Sequence, residues 1–285
     1  DNVPGVLRLA YSLRPKKFDA AILLQNAIEA AIIALAAGIG VRAGYNSDGR
    51  GFLLTHPVRR SADILRVHQI DYYLEMVKAL GCADVDRSLR LETSLSTATT
   101  REILRKYLPE NNRPLIGIAP GAMYGPAKRW LPERFAQAGE SLAKKLDAQV
   151  LLFGGGDDWE TAELVRGQAQ TDMINLAGRA SLPDSVYLIS QCRLFLSNDS
   201  GLMHVAGGLN IPTVAIFGST NPVTTSPAGE RTMLVRKETP CSPCLKKTCP
   251  TDFRCMTAVT VEDVVAAALT LLNGTAGPRP DNQKS

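Results

Sequence analysis

Leu115-Ile116-Gly117-Ile118-Ala119-Pro120-Gly121-Ala122-Met123-Tyr124-Gly125-Pro126-Ala127-Lys128-Arg129-Trp130 is the stretch that decides the fold. A short apolar run reads as a buried strand, and a Pro/Gly turn that ends in two basic residues follows it. Residues 133–146 then carry apolar side chains at helical spacing. The same order repeats downstream. Strands are predicted over 150–153, 174–176, 194–197 and 213–217, and helices over 158–168, 182–190, 201–207 and 261–272. Strand–helix alternation predicts an α/β fold with a parallel sheet covered by helices on both faces.

Upstream the pattern is weaker. A strand is expected over 20–24, a helix over 29–37 stopped by Gly38, and a Gly- and Arg-rich loop over 42–60 with a short strand at 52–55. Helices follow over 70–80, stopped by Gly81, and over 99–108. The polar, Pro-bracketed segment Pro109-Glu110-Asn111-Asn112-Arg113-Pro114 is the expected domain boundary. It gives a domain at 1–110, a second at 111–272, and a Gly/Pro/polar tail at 273–285 expected to be disordered.

The chain has 285 residues, enough for about two domains of ~150 residues. With 45 % hydrophobic and 21 % charged residues, it is neither a disordered nor a collagen-like chain. A net charge of +4 is too small for a nucleic-acid binder. Residues 1–70 nevertheless hold nine Lys/Arg against five Asp/Glu. These are either solvated faces or a surface that meets an anionic partner such as a membrane. The longest uncharged apolar run, 30–41, is twelve residues, against ~20 for a membrane span. Asp1-Asn2-Val3-Pro4 lacks the features of a secretory signal, and the absence of an initial Met suggests a processed, cloned or truncated chain. A reducing, cytoplasmic setting is therefore expected, in which structural disulfides are disfavoured.

Ligands of open parallel sheets bind at the carboxyl ends of the strands, so the segments after the strands are the places to look. In 120–130, Gly121 and Gly125 let backbone amides approach a ligand, and Lys128 and Arg129 add charge suited to a diphosphate; the alternative is a solvated basic turn. In Ser197-Asn198-Asp199-Ser200-Gly201-Leu202-Met203-His204 a helix should start, its first amides favouring an anion. His204 lies one turn on, either facing that ligand or serving as a structural residue. Phe153-Gly154-Gly155-Gly156-Asp157-Asp158-Trp159-Glu160 resembles a nucleotide site whose carboxylate takes ribose hydroxyls, with Asp158 equally suited to capping a helix. Phe217-Gly218-Ser219-Thr220-Asn221-Pro222 either closes the rim or is only a turn. Together the four loops predict a nucleotide-diphosphate site in the second domain.

In Pro120–Trp130 and in Ser197-Asn198-Asp199-Ser200-Gly201-Leu202-Met203-His204-Val205-Ala206 the chain resembles the lipopolysaccharide heptosyltransferases of glycosyltransferase family nine. The likeness runs from about residue 8 to residue 272, and residues 14–24 and 36–45 resemble the middle of the family's N-terminal domain. The resemblance implies a GT-B architecture, two Rossmann-like domains facing across a cleft, with ADP-heptose held by the C-terminal domain and a lipid A-linked inner-core acceptor by the N-terminal one. The implied reaction moves L-glycero-D-manno-heptose onto the heptosyl-Kdo-lipid A core with inversion. Lys128 matches the family's diphosphate-binding lysine. Asp199, Ser200, Gly201 and His204 match its helix-start donor motif, and Gly121 and Gly125 its glycine turn. Asp158 or Glu160 falls near its ribose-binding acid. Lys128 and the helix-start amides would stabilise the departing diphosphate most in the transition state, so no metal or other cofactor is required. The family's opening Gly-Asp turn, with the aspartate taken as catalytic base, has no counterpart: Asp1 and Asp19 do not sit in that motif. The expectation is a truncated chain that keeps the donor half and lacks the base. The alternatives are another GT-B nucleotide-sugar enzyme and a nucleotide-sugar-binding module without catalysis. Peripheral contact with the inner membrane would use Arg8, Arg14, Lys16, Lys17, Arg59 and Arg60.

Of six cysteines, Cys82 and Cys192 read as small buried residues. The other four form Cys241-x2-Cys244-x4-Cys249-x5-Cys255. The first spacing suits a structural zinc site, the later ones do not match a two-knuckle ribbon, and a redox bridge or a loop of small packed thiols are the alternatives. Lys237, Lys246 and Lys247 nearby would favour thiolates.

Overall fold

A computed structural model describes residues 3–83 and 86–274. The chain divides into two compact units, Asp1–Arg87 and Ser88–Ser285. The division lies before the expected boundary at 110 because the helix preceding that boundary belongs to the second unit.

Unit 1 is built from α1 (Val3–Leu13), β1 (Ala20–Leu23), α2 (Ile28–Ala36), β2 (Val41–Tyr45), β3 (His56–Val58) and α3 (Gln69–Ala79). Its three strands are parallel in the order β1-β2-β3. Residues 52–55 are not the expected strand. Gly49, at φ 68°, opens a tight 3-10 turn over Arg50–Leu53, and the strand begins only at His56. The turn drives Arg50 inward until it is 0 % exposed. Its guanidinium donates to the carbonyls of Tyr45 (2.9 Å), Ala27 (3.3 Å), Leu23 (3.4 Å) and Gln25. One side chain thus satisfies the carbonyls where β1 and β2 end. The Tyr45 hydroxyl donates to the Tyr72 carbonyl at 2.6 Å and brings α3 onto the sheet. Cys82 is exposed rather than buried, since it follows the end of α3.

Unit 2 comprises α4 (Thr97–Tyr107), β4 (Leu115–Ala119), α5 (Pro132–Leu146), β5 (Gln149–Leu152), α6 (Trp159–Gln168), β6 (Met173–Asn175), α7 (Leu182–Ser190), β7 (Cys192–Asn198), α8 (Gly201–Gly208), β8 (Thr213–Ile216), α9 (Pro222–Thr225), β9 (Thr232–Val235), α10 (Arg254–Thr257) and α11 (Val261–Leu272). The six strands are parallel in the order β6-β5-β4-β7-β8-β9. Side chains alternate between faces. Ile116, Ile118, Val150, Leu194 and Val214 pack with α5, α6 and α11. Leu115, Leu151, Phe153 and Phe195 pack with α4, α7 and α8. Ile103 of α4 lies in that second core and Tyr107 donates to Asp184 of α7 at 2.9 Å, which is why α4 falls in unit 2. Gly117 leaves room for the Phe195 ring, which a side chain there would overlap. The edge strand β9, short and half-buried, lacked a clear signal in the sequence. Of the expected tail, residues 275–285 lie outside the described residues.

The first β4 connection runs to β5 and β6, and the strands from β7 onward lie on the other side. The order reverses between β4 and β7, so the loops after those two strands face each other at a crevice.

Replacing Arg50 with Met leaves several buried carbonyls unpaired, at about 1–3 kcal/mol each. Hydrogen-exchange mass spectrometry should show the amides of β1 and β2 losing protection in Arg50→Met while β4 and β7 keep theirs. Unchanged protection in unit 1 would refute the role given to Arg50.

Candidate functional site

Lys128 closes the loop after β4, and Asp199 follows β7 directly. Their side chains meet with Lys128 Nζ 2.7 Å from Asp199 Oδ2. The two side chains are 14 % and 5 % exposed, so the pair is largely withdrawn from water. Thr225 of α9 adds a longer contact, its hydroxyl 3.5 Å from the same carboxylate oxygen. The loops after β4 and β7 and the short helix α9 thereby meet at one carboxylate.

The loops are fixed by Asn198, whose significance the sequence did not reveal beyond a capping role. It is fully buried. Its amide donates to the Pro120 carbonyl at 2.7 Å, and its Oδ1 accepts the Trp130 N–H at 2.9 Å. One side chain therefore clamps both ends of the loop that carries Lys128. Trp130 is itself buried, with its indole N–H on the Val259 carbonyl at 3.0 Å.

Ser200 occupies the N-cap of α8 in extended conformation, but its side chain makes no capping bond and lies 3.0 Å from the Ser197 hydroxyl. The first amides of α8 thus keep the donor capacity and positive dipole end that attract anions. Gly201 has open space around it, as close approach of a ligand requires. His204 is half-buried one turn further on.

Other expected residues take part in packing the loops together. A side chain at Gly121 would collide with the Asp158 carboxylate. Asp158 packs on Gly121 and Gly154, accepts the Gly155 N–H at 3.1 Å and lies 4.0 Å from Arg129. In this arrangement it pins the glycine-rich loop to the loop after β4. Glu160 is exposed in the first turn of α6. Gly125, at φ 153°, presses against the carbonyl of Lys247, where any side chain would clash.

That contact brings in the four-cysteine segment. Ala127 donates to the Lys247 carbonyl at 3.0 Å and Tyr124 to the Leu245 carbonyl at 2.8 Å, while the Leu245 N–H donates to the Ser219 carbonyl at 2.8 Å. Ser242 donates to the Gly218 carbonyl. The segment is a strap joining the loop after β4 to the loop after β8. Among the described residues no three His, Cys, Asp or Glu side chains gather into a set that could hold a metal ion, and all four cysteines are free thiols. Lys237 pairs with Asp263 at 2.7 Å. The Cys249 thiol is held below its ordinary pKa first by a hydrogen bond from Thr251, not by a lysine. Burial pushes the Cys255 thiol up, and the three neighbouring cysteines push it the same way. Burial pushes Cys192 up strongly.

Two parallel-sheet units, the second with a lysine and an uncapped helix start at its switch point, are the parts that a GT-B glycosyltransferase combines. The family model for glycosyltransferase family 9 (heptosyltransferase) matches residues 6–253. Lipopolysaccharide heptosyltransferase 2 of Escherichia coli K12 is 32 % identical over 238 residues, covering 80 % of this chain and 68 % of that protein. Lipooligosaccharide heptosyltransferase 2 of Haemophilus ducreyi is 34 % identical over 248 residues, with the same 80 % and 68 % coverage. The solved structure of Escherichia coli ADP-heptose LPS heptosyltransferase II superposes with a TM-score of 0.81 at 29 % identity, covering 95 % of this chain and 81 % of that one. The chain belongs to glycosyltransferase family 9, the heptosyltransferases. No helix among the described residues is long and apolar enough to cross a membrane.

Two outcomes are expected. Asn198→Ala leaves a buried N–H and a buried carbonyl unpaired, and should cost about 2–4 kcal/mol in denaturant unfolding; a loss below ~1 kcal/mol would show that the clamp is dispensable. The thiolate is the nucleophile, so limiting iodoacetamide at pH 8 should label Cys249 before Cys255 and Cys192 in peptide mass spectra. Equal labelling rates would contradict the assigned environments.

Proposed function

We propose that this chain transfers L-glycero-D-manno-heptose from ADP-heptose to the heptosyl-Kdo-lipid A inner core of lipopolysaccharide, inverting the anomeric centre. The observation that carries the reading is the Lys128–Asp199 pair at the β4/β7 switch point, 2.7 Å apart and shielded from water. The relatives named as heptosyltransferase 2 support the choice of donor and acceptor.

In the reaction an acceptor hydroxyl oxygen bonds to the anomeric carbon as the bond from that carbon to the β-phosphate oxygen breaks. The electron pair leaves with ADP, and the hydroxyl proton passes to solvent water. Negative charge therefore grows on the departing diphosphate. Lys128 meets that charge directly, and the first amides of α8 meet it from the other side, so both bind the transition state more strongly than the ground state. Asp199 fixes the direction of the Lys128 ammonium before the donor arrives, which removes reorganisation from the reaction itself. The Asp158 pin and the Asn198 clamp hold the two phosphate-facing loops at constant separation.

The acceptor is lipid-linked, and Arg8, Arg14, Lys16, Lys17, Arg59 and Arg60 of unit 1 are all exposed. Their charge supports peripheral contact with the anionic cytoplasmic face of the inner membrane.

The test is transfer from ADP-heptose to purified heptosyl-Kdo-lipid A, followed by mass spectrometry of the product. Lys128→Ala should lower kcat by about 100-fold, the scale of losing one charge-stabilising group. A wild-type rate in that variant, or no binding of ADP-heptose by the unaltered chain, would overturn the reading.

A further inference from the structure

We propose that Lys247, carried by the four-cysteine strap, is a second phosphate-binding cation of the donor site; the proposal rests on the diphosphate reading of that site. The central observation is Tyr124. Lys128 Nζ lies 4.9 Å from the centroid of its ring, and Lys247 Nζ lies 5.9 Å from the same centroid. Two ammonium groups are thus gathered around one aromatic side chain.

The arrangement is built rather than incidental. The Tyr124 hydroxyl donates to the Leu245 carbonyl at 2.8 Å, which fixes the ring against the strap. Ala127, the residue before Lys128, donates to the carbonyl of Lys247 at 3.0 Å. Gly125 lies flush on that carbonyl, with no space for a side chain between them. The backbone of Lys247 is therefore locked to the turn that carries Lys128, although the two residues are far apart in sequence.

The two lysines differ in one respect. Lys128 is balanced by Asp199. Among the described residues Lys247 has no carboxylate within ion-pair distance, and it is exposed. An aromatic face offers a cation weak attraction at an exposed site, and Tyr124 brings no negative charge. The region around Tyr124 thus carries one unbalanced positive charge beside a balanced pair, a field suited to a group with more than one negative charge. A nucleoside diphosphate meets that description and a nucleoside does not. Lys128 would engage the bridging side of the diphosphate at the helix start, and Lys247 its outer oxygens.

Lys246 supplies the control, since its removal changes net charge equally but its ammonium group does not lie over the Tyr124 ring. The experiment is calorimetric titration of the full chain with ADP and with adenosine, for wild type and for Lys247→Gln, Lys247→Arg, Lys246→Gln and Lys128→Gln, with melting temperatures checked throughout. Lys247→Gln should weaken ADP about 5- to 10-fold, the scale of one charge-assisted contact, and leave adenosine unchanged. Lys247→Arg should restore ADP affinity, and Lys246→Gln should match wild type. If Lys247→Gln binds ADP as wild type does while Lys128→Gln does not, the role of Lys247 is wrong and the diphosphate site stands. If neither substitution alters ADP affinity, the donor-site reading fails and the proposal falls with it.

Discussion

An ammonium group and a carboxylate drawn out of water need each other. Removing either partner of the Lys128–Asp199 pair would strand the other where solvent no longer compensates it, a penalty of several kcal/mol. The pair is tolerable only if its geometry is held, and much of unit 2 can be understood as holding it. Lys128 comes from the loop after β4, Asp199 from the end of β7, and β4 and β7 are adjacent in the sheet. Parallel pairing of those strands sets where the two backbones end, and Asn198 then fixes the loop between them. The same position is where the strand order reverses and where α8 starts, with the free amides and positive dipole end of a helix N-terminus.

The glycines in these loops are best understood as contacts rather than as hinges. Gly121 admits the Asp158 carboxylate, Gly125 admits the Lys247 carbonyl, and Gly218 admits Cys255 and Met256. At each position the missing side chain lets one loop lie directly on another. The loops around Lys128 therefore form a mutually packed ring in which the strap has a structural share. Unit 1 handles a comparable problem with different means. Its strand ends converge on the Arg50 guanidinium, whose donors face four carbonyls in place of a charged partner.

Much of this was legible in the residues because it is local. Strand–turn–helix periodicity locates β4 to β8 and their helices, and the rule that ligands gather at strand ends points to Lys128 and Asp199, which the fold brings into contact. What was not legible depends on long-range approach. Nothing around Phe52 signals that Arg50 turns inward, so a strand was expected where a tight turn lies. Asn198 reads as one of three capping residues in a row, and only the fold reveals that it spans from Pro120 to Trp130. Asp158 was found for its carboxylate, but Gly121, distant in sequence, is what receives it.

The strap illustrates the limit most clearly. Its cysteine spacing draws attention to the thiols, yet its contacts with the loops after β4 and β8 run through the backbone of Leu245 and Lys247 and the side chain of Ser242. Backbone contacts leave little trace in residue type, except where they force glycine on the partner, as at Gly125. The cysteines themselves are divided by environment, since Cys255 is buried against Gly218 while Cys241 is exposed. A segment held at Ser219 on one side and at Ala127 on the other couples the loops after β8 and β4. The strap and the turn that aims Lys128 are therefore tied together by backbone hydrogen bonds and not through the thiols.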